Sequence, residues 1–202
     1  MIRILVVALL AICAPLAGAQ TYPSKPVRVV IPYPPGGGAE AAARLLALHL
    51  TQALGQSFVV DPKPGGNTLI GTEMVAKSPG DGYTLLFTGG STMSVQPFVF
   101  AGKLPYDPLN DFAPVSMVSR FPFFAVVPAS VPAKTLAEFI AYARANQASM
   151  QYGSAGGGSG SHVCAILLDL AMGTRITHVP YRGAGPAMQD LLGGQVNLMF
   201  DG

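Results

Sequence analysis

The feature that most constrains this chain is a junction used three times, in which a short apolar run passes through glycines and small hydroxyls into a helical pattern. It occurs as PPGGGAE at 34–40, SAGGGSGS at 154–161 and PYRGAG at 180–185. Before the first junction, residues 27–31 form a β-branched strand stopped by Pro32, Pro34 and Pro35. After it, Glu40 opens a helix whose stripe includes Ala43, Leu46, Leu50 and Leu54 and which Gly55 closes. Strand, loop and helix in alternation predict a parallel sheet with crossover helices. In such sheets the loops at the carboxyl ends of the strands are where ligands bind.

The same plan continues along the chain. Residues 58–60 read as a strand, 64–67 as a second Gly-rich turn, 70–77 as a helix ended by Ser78, Pro79 and Gly80, and 83–87 as a strand. Thr88, Gly89, Gly90, Ser91 and Thr92 then form another small polar loop. A Pro-punctuated stretch follows Asp107, and the apolar run 123–127 and a helix over 136–146 open a second region. There the pattern predicts strands at 151–152, 175–179 and 195–200 and helices at 162–172 and 186–192. The expected fold class is α/β, resembling a periplasmic binding protein, with two α/β lobes and a ligand cleft between them. Residues 20–121 are assigned to the first lobe and 122–202 to the second, with the crossing near Arg120 to Pro122.

Residues 1–19 are set apart from the fold. One cation, Arg3, precedes an apolar run and the small triplet Ala17, Gly18, Ala19, the layout of a secretory signal peptide with cleavage after Ala19. The run is shorter than the roughly 20 residues that span a bilayer. Lipidation at Cys13 would need a small residue before it, where Ile12 stands. Cys164 is then the one cysteine of the mature chain, so a packed core rather than an internal disulfide must stabilise it. Twelve Lys and Arg against ten Asp and Glu provide no basic field, so nucleic acid is not expected as a partner.

The chemistry suggested by the glycine loops is anion binding. Glycine lets backbone N–H groups approach a ligand, and the first amides of a helix are unpaired donors reinforced by the helix dipole. For any single loop, ordinary turn chemistry with a serine N-cap remains an equal reading; Ser159 and Ser161 fit either role. A P-loop is excluded because Ala39 and Glu40 follow Gly38, and Ser161 breaks the dinucleotide fingerprint. The stretch 157–161 falls one residue short of a nucleophile elbow, which makes a serine hydrolase using Ser159 the enzyme alternative. The order Ser159, His178, Asp201 is not that of such hydrolases. The three histidines show no metal-ligand spacing, and neither metal nor cofactor is expected.

Five segments resemble the Bug (TctC-like) family, the solute receptors of tripartite tricarboxylate transporters. They are YPSKPVRVVIPYPPGGG at 22–38, DGYTLL at 81–86, LPYDPLNDFAPV at 104–115, YGSAG at 152–156 and HVPYRGAGPAMQDLLGGQVNLMFD at 178–201. The resemblance implies a periplasmic, non-enzymatic binding protein, expected as a monomer, that closes on a small organic carboxylate and delivers it to membrane transporter subunits. By motif position it implies ligand contacts from Gly36, Gly37, Gly38, Thr88, Gly89, Gly90, Ser91, Thr92, Ser154, Ser159, Ser161 and Asp201. A ligand-sensing interaction module is the alternative that shares this binding chemistry. Glu40 departs from the Asp or Asn usual after the first glycine run. Because the family pattern continues past the position of Gly202, the resemblance also implies an incomplete second lobe and a poorly soluble 202-residue product.

Overall fold

The computed structural model describes residues 21–202, so the signal-peptide assignment, with its cleavage after Ala19 and its Cys13, lies outside the described residues. The elements in chain order are β1 (Val27–Ile31), α1 (Gly38–Leu54), β2 (Phe58–Pro62), α2 (Leu69–Ala76), β3 (Thr84–Leu86), α3 (Gly90–Ser94) and α4 (Gln96–Val99). They continue with β4 (Phe124–Val126), α5 (Leu136–Asn146), β5 (Gln151–Ser154), α6 (Gly160–Met172), β6 (Thr177–Pro180), α7 (Ala184–Leu192) and β7 (Leu198–Asp201).

The first sheet has the order β2-β1-β3, all parallel, with Val27 opposite Phe58 and Arg28 opposite Thr84. As the central strand, β1 is buried on both faces, which is why its sequence is a continuous apolar run rather than an alternation. On one face Val27, Val29 and Phe58 pack against Ala47 and Leu50 of α1. The buried residues of this helix are Glu40, Ala43 and Ala47, while Leu54, assigned to its stripe from sequence, is exposed. Gly55 ends the helix in the left-handed conformation at φ 71°, where a β-carbon would be strained.

The second sheet has the order β4-β7-β5-β6, with β4 antiparallel to β7 and the other pairs parallel. Its strand residues alternate between two layers. Tyr152 and Leu198 join Phe139, Ala143, Met150, Ala165 and Met172 on one face, whereas Met199 packs with Ala187, Leu191 and Val196 on the other. Thr135 caps α5 by accepting from the Glu138 amide. Two boundaries shift with consequences for the site. β5 extends to Ser154, so Gly153 and Ser154 are strand residues, and the segment 88–92 is half loop and half helix because α3 starts at Gly90.

One glycine is required by packing rather than by its backbone angles. A β-carbon on Gly71 of α2 would lie 2.7 Å from the Lys63 carbonyl oxygen and 3.0 Å from Pro32 Cβ. Backbone cannot yield as a side chain can, so Gly71→Ala is expected to destabilise the protein by about 1–3 kcal/mol although alanine is the better helix former. Urea denaturation of the two proteins measures the difference.

Candidate functional site

The glycine loops of the two lobes meet. Gly183 approaches Pro34 so closely that a β-carbon on it would stand 3.0 Å from Pro34 Cγ, and a β-carbon on Gly158 would stand 3.4 Å from Val99 Cγ2. Between these contacts the Asn67 side-chain amide donates to the Gly157 carbonyl. These contacts set segments 34–38 and 64–67 of the first lobe against 155–160 and 181–183 of the second.

On the first side, Gly36 takes up a left-handed conformation at φ 89°, which turns the chain from the prolines into α1. Gly37 is the N-cap, with φ −89° and ψ 167°, and Gly38 begins the helix. Nothing lies within 4 Å of where a β-carbon on Gly37 or Gly38 would be. Glu40 is buried and points back into its own loop. Its carboxylate accepts from the Gly36 amide at 2.7 Å and from Arg44 Nε at 2.8 Å, and these bonds hold its pKa below the usual range. The departure from the family pattern at this position therefore braces the loop.

The 88–92 segment hangs on Tyr33, whose hydroxyl accepts from the Gly89 amide at 2.8 Å and bonds Thr88 Oγ1 at 3.1 Å. Thr92 is 1% exposed and faces inward to Tyr33 and Thr68, so its hydroxyl belongs to the lobe interior. Gly90 is exposed and Ser91 half-buried at the start of α3.

The second loop is internally bonded to an extent that sequence reasoning missed. Ser154 is fully buried, and its hydroxyl accepts from the Gly156 amide at 3.1 Å and meets His178 Nε2 at 2.6 Å. The Ser161 hydroxyl, also buried, accepts from the Ala155 amide at 3.0 Å and bonds Ser159 Oγ. Ser159 caps α6 through the His162 amide, and His162 Nδ1 accepts from the Gly158 amide at 3.0 Å. Ser154 and Ser161 are placed as struts of the loop, while Ser159 is half-buried at its rim. Asp201 ends β7 opposite Phe124, in the strand beside β5.

His162 and His178 are stacked, with ring centroids 4.0 Å apart and planes at 16°, and Tyr152 stacks beneath His178 at 4.9 Å. Burial, and then the neighbouring His162, push the His178 pKa down to about 4, and burial also lowers that of His162. Both rings are therefore neutral at neutral pH, as the Nδ1 acceptor role of His162 requires. The one signal in sequence was their position, His162 at the start of the helix that follows the loop and His178 on a strand leading to the next loop.

This arrangement also removes the hydrolase alternative. The histidine nearest a serine, His178, faces Ser154, which has no access to solvent, whereas the hydroxyl of Ser159 is bonded to Ser161 and to the helix cap. Tyr181, on the third glycine loop, donates its hydroxyl to Asp190 at 2.6 Å and packs against Gly153. Among the described residues no group of three or more His, Cys, Asp or Glu could hold a metal ion, and no helix is long and apolar enough to cross a membrane.

The profile of the family described as "Tripartite tricarboxylate transporter family receptor" (TctC) matches residues 42–201. The chain belongs to this family. Its similarity to BugT of Bordetella pertussis is 38% identity over 190 residues, covering 94% of the chain and 58% of that protein. Among solved structures, Rpa4515 of R. palustris with adipate superposes with a TM-score of 0.84 at 36% identity, covering 89% of this chain and 60% of that one. MatC (Rpa3494) of Rhodopseudomonas palustris with bound malate gives 0.77 at 32%, covering 89% and 61%. The chain thus spans under two thirds of the length of each. TctC-family proteins are periplasmic binding receptors rather than enzymes, and the two-lobed α/β architecture is theirs.

Proposed function

We propose that this TctC-family chain is the periplasmic receptor that captures a small organic carboxylate and presents it to the membrane subunits of a tripartite transporter. The observation that carries the reading is the convergence of helix N-termini on one cleft. The first turns of α1, α6 and α7 open at Gly38, Gly160 and Ala184, each directly after a glycine loop that faces the other lobe. First-turn amides have no intrahelical acceptor and carry the positive end of the helix dipole, so they attract a carboxylate without a lysine or arginine.

Of the residues that the family motifs single out, Gly37, Gly38 and Gly90 have open space where a β-carbon would be and Ser91 and Ser159 are half-buried, and these are taken as the ligand contacts. Gly36, Thr88, Gly89, Thr92, Ser154 and Ser161 shape and brace the loops, and Asp201 stands at the end of the neighbouring strand. The lobes are taken as 20–121 and 122–202, each carrying one sheet. Export through cleavage after Ala19 completes the reading and places the receptor, as a monomer, in the periplasm.

The relatives solved with adipate and malate make dicarboxylates the first ligands to test. A binding carboxylate present at 100 times its dissociation constant is expected to raise unfolding free energy by about 2.7 kcal/mol. Thermal shift across a panel of mono-, di- and tricarboxylates, amino acids and neutral amides of the same length measures it. Stabilisation by the amides equal to that by the acids, or by no compound of the panel, would remove the reading.

A further inference from the structure

We infer that Asn67 is the latch that holds the two lobes closed, a positioning residue whose amide grips the second-lobe glycine loop at Gly157. The inference rests on the receptor reading for its meaning, but its geometry stands alone. Asn67 and Thr68 are the two non-glycine residues with positive φ among those described, at 55° and 75°. Two consecutive left-handed residues cost of order 1 kcal/mol each and persist only where the surroundings impose them.

Here a buried polar network does so. The Gln96 amide, 1% exposed, donates to the Asn67 carbonyl at 2.7 Å and to the Thr68 hydroxyl at 2.8 Å, and the Tyr106 hydroxyl donates to Gln96 Oε1 at 3.3 Å. Thr72 Oγ1 adds a bond to the Thr68 carbonyl at 2.8 Å. None of these partners needs the Asn67 side chain. What the strained turn achieves is to aim that side chain out of its own lobe, where it donates to the Gly157 carbonyl. On the other side the approach is matched by Gly156, at φ 126°, where a β-carbon would stand 2.6 Å from Asn67 Oδ1. Through Thr68, Thr92 and Tyr33 the same network reaches Thr88 and Gly89 of the first-lobe cleft loop. A ligand that orders this loop therefore stabilises the turn that presents the latch, and closing the latch fixes the opposing loop.

The test uses Asn67→Gly, which accepts the left-handed backbone without strain and removes only the amide, and Asn67→Asp, which keeps the shape and replaces the donor by an acceptor facing a carbonyl. Spin labels at Lys77→Cys and Arg175→Cys, one on each lobe, in a Cys164→Ser background, report the interlobe distance by double electron–electron resonance without ligand. Both variants are expected to lengthen or broaden that distance, the aspartate more so, at an unchanged urea midpoint, and to weaken adipate or malate binding about tenfold. Distance distributions that match the parent in both variants would overturn the inference. If the parent binds no carboxylate of the panel, the receptor reading fails while the distances still decide the latch.

Discussion

Replacing Gly37 by valine is expected to lower carboxylate affinity at least about 100-fold while leaving the fold in place. The two effects separate because of the local backbone. Gly37 has φ −89° and ψ 167°, an extended conformation open to every L-residue, and its β-carbon would meet no atom within 4 Å. The exchange at an N-cap costs on the order of 1 kcal/mol or less. In the proposed site, the same open space is what a carboxylate would occupy. A branched side chain there stands in front of the α1 first-turn amides and keeps a carboxylate from hydrogen-bond distance, and 100-fold corresponds to about 2.7 kcal/mol. Gly36→Val provides the contrast, since φ 89° makes any side chain strained by about 1–2 kcal/mol, so stability and binding should fall together. Titration calorimetry with whichever carboxylate stabilises the parent, alongside urea melts, reads both quantities. Parent-like affinity in Gly37→Val would take the first glycine loop out of the site.

The second large effect is expected from acid. His178 has its pKa pushed down from 6.5 to about 4, so the folded state favours the neutral ring. A group with a depressed folded pKa contributes stability that is complete above its unfolded value and is lost as pH falls toward the folded one. The window is therefore pH 6.5 down to about 4, with His162 adding in the same direction. The full shift corresponds to about 3 kcal/mol, nearer 2 once solvent screening of a half-buried ring is allowed for. The groups around the stack are Tyr152, whose own pKa burial raises, and Asp169, which acts on Tyr152; no carboxylate is bonded to either imidazole. Carboxylates held low, such as Glu40 and Asp107, lose their contribution only below the usual carboxylate range. Protonating His162 Nδ1 would also set donor against donor at the Gly158 amide. Unfolding free energy measured between pH 7.5 and 5 should fall in the parent and flatten in His178→Asn. An equal slope in both would mean that the stack is not the titrating element.

Much of this architecture was legible because the sequence spells out its punctuation. The continuous β-branched run at β1 marked a strand, and Gly55 marked a helix end that the structure places there. The α3 and α4 helices were not foreseen, since four or five residues of polar and mixed character show no helical period. At the site, glycines and hydroxyls could be gathered by motif, but their division of labour could not. Ser154 and Ser159 are the same residue type in the same loop, yet one is a strand terminus buried on a histidine and the other a helix cap at the rim. That difference depends on where β5 stops and α6 starts, a matter of two or three residues. Asn67 was passed over as one polar residue in a Gly-rich turn because nothing local records what lies across the cleft.

The antiparallel edge of the second sheet sets an order of assembly. Every pairing in the first sheet joins strands linked by a single crossover or the next one along. In the second, the entering strand β4 pairs with nothing until β7 arrives roughly seventy residues later. Such a long closure slows the search for native contacts. As the polypeptide emerges from the ribosome, Phe124 to Val126 must wait without an edge partner while α5, β5, α6, β6 and α7 are made. The first lobe has no such wait, so nascent chains should acquire its sheet well before the second can close.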